Sequence, residues 1–213
     1  MLFRSLELAQ PKNVTIVHAN QFVRMGFTAT AGQNLGVDLS EISGFAPGSL
    51  QVFRNSDGVR VAIQGFSTAA GAGVRVPFPS GDYTVVVSSD SGTQGTMKLT
   101  LWKDVEGSLV IDVPSTVSIV YRNQFARPTF NGTAGQDNLR IELSGVSLPD
   151  GGSVGGIVQV IATDGSFGAS PSAFGPSGGI VDIPKLEFST TYAVVISPNS
   201  AATGNVTVRV FNR

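Results

Sequence analysis

The side chains best suited to acid, base or metal chemistry are few: one histidine, fifteen carboxylates and no cysteine. As a general base His18 would need a nucleophile and an orienting carboxylate beside it. The position aligned with it in a second copy of the same pattern, described below, is Tyr121. A site that accepts either ring is expected to be an aromatic packing position. Gly65-Phe-Ser-Thr-Ala69 and Gly165-Ser-Phe-Gly-Ala169 both lack the second glycine of a nucleophile elbow.

A glycosidase needs two carboxylates flanking a cleft, and a calcium site needs about six converging oxygens. Asp38 and Glu142 are equivalent residues directed away from the apolar face of their strands. Asp57 and Asp164 precede glycine at hairpin tips, where aspartate bonds its own backbone. Asp82 and Asp90 are scattered, and no Asp-x-Asp-x-Asp-Gly spacing occurs. Turn chemistry is therefore expected of these groups.

Aromatic rings could stack on sugars. Trp102 aligns with Phe211, Tyr83 with Tyr192, Phe22 with Phe125 and Phe27 with Phe130. Recurrence at equivalent strand positions is what a buried core predicts. Phe45, Phe53, Phe66, Phe78, Phe167, Phe174 and Phe188 have no such match and lie mostly on loop-like stretches. Two of them exposed side by side would make the better binding surface. Glycine-rich 150–156 and 171–179 lack the Gly-Lys-Ser/Thr of a phosphate loop and read as sandwich loops. The Asn-x-Thr triplets at Asn13, Asn131 and Asn205 are expected from β-turn composition alone. No catalytic, cofactor-binding or metal-binding residue is assigned, and no enzyme activity is expected.

The elements that carry these residues come twice. Ser5 to Gln33 lies over Ser108 to Gln136 without a gap, and 15 of the 29 positions are identical. They include Asn20-Gln21-Phe22 over Asn123-Gln124-Phe125 and Thr30-Ala-Gly-Gln33 over Thr133-Ala-Gly-Gln136. With small insertions the register continues through 35–40 over 139–144 and closes with Tyr83–Trp102 over Tyr192–Phe211. Two domains follow, 5–104 and 105–213, with a short link at 103–107 that tethers them closely. Val14, Ile16 and His18 alternate with Thr15 and Val17, and Leu35, Val37 and Leu39 with Asn34, Gly36 and Asp38, the period-two pattern of half-buried strands. Val85-Val-Val87 and Val194-Val-Ile196 read as central strands covered on both sides. Strands are expected at 6–9, 14–18, 23–30, 35–40, 49–54, 59–64, 73–77, 83–88 and 96–102. Turn residues between them, with no credible helix, predict an all-β protein: two tandem antiparallel β-sandwiches of the jelly-roll kind.

Phe-x-Gly-Thr-Ala-Gly-Gln, a Leu-x-Ile-x-Leu-Ser strand, Asp-Gly at a hairpin, Tyr-x-Val-Val and then Ala-Ala-Thr-Gly-x-Val-Thr-Val run in order through the second copy, from Phe130 to Val208. This pattern resembles the bacterial pre-peptidase C-terminal β-sandwich. The first copy departs with Ala29 for Gly132 and with Gly92-Thr93-Gln94 for Ala201-Ala202-Thr203. The resemblance implies a non-catalytic accessory module, often in tandem, on secreted or cell-surface bacterial proteins. Some collagen-binding relatives hold calcium at carboxylate clusters, and no matching cluster occurs in this sequence.

Composition narrows the functions further. The 213 residues carry 14 basic and 15 acidic groups, a net charge of −1, and only 14% are charged. No basic field exists to hold nucleic acid. No apolar run approaches the roughly 18 residues that span a bilayer. Met1–Ser5 is not a secretory signal; Met-Leu-Phe-Arg-Ser is also what the end of a common sequencing adapter encodes from a GTG start. The first copy begins at a repeat edge, so a truncated piece of a longer extracellular or cell-surface chain is expected. The reading is a monomeric, inert spacer whose partners are other domains of its parent. The alternative is a polysaccharide- or protein-binding module that uses loops 41–48, 65–73 and 166–179.

Overall fold

The computed structural model describes residues 4–44, 47–67, 71–90, 92–148, 155–199 and 202–213, among which there is no helix. The chain divides into two compact units, Met1–Lys103 and Asp104–Arg213. The first holds β1 (Arg4–Ser5), β2 (Lys12–Ile16), β3 (Val23–Ala29), β4 (Asn34–Ser43), β5 (Gly48–Arg54), β6 (Arg60–Phe66), β7 (Ala72–Pro77), β8 (Gly81–Ser89) and β9 (Gly95–Lys103). The second holds β10 (Val105–Ser108), β11 (Ser115–Ile119), β12 (Ala126–Gly132), β13 (Asp137–Ser147), β14 (Gly156–Ala162), β15 (Ser172–Phe174), β16 (Gly179–Lys185), β17 (Thr190–Pro198) and β18 (Gly204–Asn212).

Each unit is a sandwich of two sheets. In the first unit the orders are β1-β3-β8-β5-β6 and β2-β9-β4-β7; in the second they are β10-β12-β17-β14-β15 and β11-β18-β13-β16. Without the leading strand, the antiparallel orders β3-β8-β5-β6 and β2-β9-β4-β7 are those of a jelly roll. The leading strand is the departure from an all-antiparallel fold, since β1 pairs parallel to β3 and β10 parallel to β12. It also moves two expected boundaries. No strand forms at the expected 6–9, where Glu7 and Leu8 make only isolated bridges just after β1, and the expected link at 103–107 consists of the end of β9, Asp104 alone, and β10.

Alternating residues fill the space between the sheets. Leu35, Val37 and Leu39 of β4 meet Leu50 and Val52 of β5 and Val85 and Val87 of β8 in the first core; Leu139, Ile141 and Leu143 meet Val158, Val160, Val194 and Ile196 in the second. Val86 and Val195 point the other way and are nonetheless buried at 6% and 8% exposure. Gln51 and Gln159 stand beside them as cross-strand neighbours.

The most repeated words of the sequence are turns. In Thr30-Ala-Gly-Gln33 the Gln33 N–H donates to the Thr30 carbonyl at 3.1 Å, the Gln33 side chain accepts from the Thr30 N–H at 2.9 Å, and Gly32 sits at φ +85°. Gln136 makes the same two contacts with Thr133, at 3.1 and 3.5 Å, and Gly135 has the same φ. A bulge interrupts β4 between Ser40 and Ser43 and β13 between Ser144 and Ser147, with Glu41 and Gly145 in the left-handed region.

Candidate functional site

His18 is exposed in a turn beyond the end of β2, and so is not a packing position; its carbonyl accepts from the Gln21 N–H at 3.3 Å. The period-two reading ran two residues too far, because Gln21 draws the chain into that turn by accepting from the N–H groups of Val17 and His18.

The aromatic residues divide. Tyr83 stacks on Phe27 with centroids 5.4 Å apart, and Tyr192 stacks on Phe130 at 5.5 Å. Each tyrosine hydroxyl reaches back four residues, Tyr83 to the Pro79 carbonyl at 2.9 Å and Tyr192 to the Phe188 carbonyl at 2.7 Å. The third ring comes from different loops: Phe78 in the first unit, Phe167 edge-on to Tyr192 in the second. Phe66 and Phe174 are buried as well. Phe22 is the correction, because it is 56% exposed on the turn before β3. Trp102 is fully buried but lies on the outer face of its sheet, across Gly36, and not between the sheets. Among the described residues the loop aromatics bring no two exposed rings together, and Phe45 lies outside those residues.

The carboxylates hold turns and strands in place. Asp57 accepts two bonds from Arg54 Nε at 3.1 Å, one from Nη2 at 2.6 Å and one from the Val59 N–H at 3.1 Å. Asp164 accepts from the Ser166 hydroxyl at 2.6 Å and its N–H at 2.9 Å. Asp82 accepts from the Thr28 hydroxyl at 2.6 Å. Asp182 on β16 takes the Arg140 guanidinium at 2.8 and 3.0 Å, with Arg213 at 3.5 Å. Asp38 is buried, its cross-strand neighbours Thr100 and Gly73. Among the described residues no three His, Asp or Glu side chains gather as a metal site would require. Asn131 and Asn205 of the Asn-x-Thr triplets accept from Thr191 and Ser118 across their strands.

These bonds hold three carboxyls below the ordinary carboxylate range: Asp57 through Arg54, Asp164 through the Ser166 hydroxyl, and Asp182 through Arg140. A native value below the unfolded one gives stability that is present above about pH 4 and is lost as the pH falls through the native values. The melting temperature should therefore fall on acidification below pH 4, and Asp164→Asn should flatten part of that limb. An unchanged acid limb would count against the assignment. All three groups face solvent, so each contribution is small.

Asp104 is different. Its side chain is fully buried, with Oδ2 2.8 Å from Arg127 Nε and Oδ1 accepting the Phe125 N–H at 3.2 Å. It thereby fastens the start of β10 to the turn before β12. A lone aspartate in a short link gives no sequence signal of such a role; only the fold brings Arg127, 23 positions on, beside it.

The described residues also line open grooves, two of them large. One of about 510 Å³ in the first unit is walled by Glu7, Phe27, Thr28, Asn55, Asp82 and Tyr83. One of about 610 Å³ in the second unit lies between β16 and the loop leading into β15, with Phe167, Pro171, Ile180, Asp182, Lys185 and Glu187 on its walls. The second includes part of the 166–179 loop; parts of the 41–48 and 65–73 loops lie outside the described residues.

No protein-family model matches the chain, and no curated protein matches it. Among solved structures it is similar to the PBSX exported protein XepA, at 9% identity over 93% of this chain and 86% of that one, with a TM-score of 0.35. It is also similar to the CUB1-EGF-CUB2 domains of human MASP-1/3, at 10% identity over 94% and 99%, with a TM-score of 0.28. Those of rat MASP-1 follow at 9% over 97% and 100%, with a TM-score of 0.27. Similarities of this size carry no functional weight, and the β-sandwich architecture rests on the chain's own sheets.

Proposed function

We propose that the chain is a tandem pair of non-catalytic modules, of the kind the pre-peptidase C-terminal resemblance implies, within a larger secreted or surface bacterial protein. There it spaces other domains. The supporting observation is that side chains able to do chemistry hold the scaffold together: Asp57, Asp164 and Asp182 cross-link turns and strands. The Tyr83 and Tyr192 hydroxyls close loops onto them.

A second reading is a binding module, favoured by the second-unit groove. It runs beside β16, at the edge of its sheet, and Ile180 on its wall is 44% exposed. Such an edge suits an extended peptide or polysaccharide. One experiment separates the two. The intact chain is applied to glycan and collagen arrays with and without Ca²⁺, beside its Ile180→Asp variant. The spacer reading expects no reproducible signal. Low-micromolar binding that Ile180→Asp abolishes would replace it with the binding reading.

A further inference from the structure

In the second unit the turn before β12 is a socket for Asp104, and the first unit carries the same socket with its donors exposed. Three features match. Gln124 Oε1 accepts from the N–H groups of Val120 at 2.8 Å and Tyr121 at 3.2 Å, and Gln21 Oε1 accepts from Val17 at 3.2 Å and His18 at 3.4 Å. Asn123 and Asn20 take left-handed φ values of 59° and 60°. Phe125 and Arg127 recur as Phe22 and Arg24, at the same spacing.

The surroundings differ. Gln124 is 4% exposed and the Arg127 side chain 23%, under the segment that holds Asp104. Gln21, Phe22 and Arg24 are all exposed. The ladder that leads away from the socket is in the same register in both units: Gly107 pairs with Pro128 and Ser108 with Thr129, as Arg4 pairs with Met25 and Ser5 with Gly26.

We propose that the Phe22 N–H and the Arg24 guanidinium are paired donors that receive the carboxylate of an aspartate-bearing extended segment entering parallel to β3. Its occupant is the exit segment of a further repeat of this kind, with the chemistry of Lys103-Asp104-Val105. Three arguments favour that occupant. The sister unit holds an aspartate with the same donors, one oxygen to the backbone N–H and the other to the guanidinium. The turn is preformed, so binding orders only the incoming segment. β1 runs parallel to β3 as β10, which follows Asp104, runs parallel to β12, which fits a segment leading into β1 better than a free peptide. The inference rests on the array part of the proposed function and extends it: the turn before β3 receives an aspartate-bearing segment as the turn before β12 does.

The test uses the full chain with the leader Met-Leu-Trp-Lys followed by Met1→Asp and Leu2→Val, reproducing residues 101–105. Its controls carry Met1→Asn in place of Met1→Asp, each version with Arg24 and with Arg24→Ala. Amide exchange at Phe22, followed by NMR, reads the socket itself; calorimetry reads the stability of the chain. The aspartate version should slow exchange at Phe22 at least tenfold and raise the melting temperature by about 4 °C. Arg24→Ala should abolish both effects, and the asparagine version should show neither in full. Equal behaviour of the aspartate and asparagine versions, or a gain that survives Arg24→Ala, would overturn the proposal. That failure would leave the spacer reading standing, since the arrays test it without the leader.

Discussion

Replacing Arg127 by alanine should destabilise the second unit by about 3 kcal/mol or more, because it leaves the Asp104 carboxylate buried without its countercharge. Asp104→Ala should cost less, since the freed guanidinium, already 23% exposed, can turn toward water. Arg127→Lys should recover little, for an ammonium supplies a point charge where Nε makes a directed bond at 2.8 Å. Replacing both partners with apolar residues, as Asp104→Leu with Arg127→Met, should cost less than Arg127→Ala alone. Urea denaturation of the four variants measures this. A loss below about 1 kcal/mol for Arg127→Ala would mean that the pair contributes no more than an exposed ion pair.

Gly36→Ala should be the second large effect. A Cβ at that position would stand 2.1 Å from Cζ2 and 2.4 Å from Cη2 of Trp102, whose ring is fully buried and has nowhere to retreat. Overpacking of this kind costs about 1–3 kcal/mol. The second unit contains the compensation. There Arg140 stands where Gly36 does and Phe211 where Trp102 does. With the smaller ring, the Arg140 side chain is free to bind Asp182, while Arg209 lies 4.6 Å over the face of Phe211. Trp102→Phe removes the atoms that a Cβ would strike, so the Gly36→Ala/Trp102→Phe double variant should lose less than the two single changes summed. Additive losses would show that the two positions are not coupled.

The strands were largely legible because each packs one face. Alternation in 35–40 and 96–102 located β4 and β9 to within a few residues, and the continuous valines located β8 at the centre of its sheet. The leading strands β1 and β10 were not legible. Val105–Ser108 is nearly all exposed on a sheet edge and is held by backbone pairing and Asp104, neither of which leaves a hydrophobic period. Repetition misled at Phe22. Identity of Asn-Gln-Phe in the two copies reflects a turn that needs a left-handed asparagine and a glutamine to cap it, and turn identity looks the same in sequence as core identity. The candidate chemistry was legible only as turn-forming aspartates. Asp182, inside a strand and not among those candidates, meets Arg140 only through the pairing between β13 and β16.

The position of β9 bears on how such a chain is made. It lies between β2 and β4 in its sheet, yet it is the final strand of its unit to be synthesised, as β18 is of the second. Until Gly95–Lys103 has cleared the ribosome, β2 has no neighbour and β4 has only β7. Val14 and Ile16 wait for their sheet partner while about eighty residues are translated, and Leu35, Val37 and Leu39 for theirs while about sixty are. The sheet β2-β9-β4-β7 is therefore closed only by the unit's last nine-residue strand, and a pause in translation just before that strand would leave β2 and β4 with open edges for a chaperone or another copy to capture.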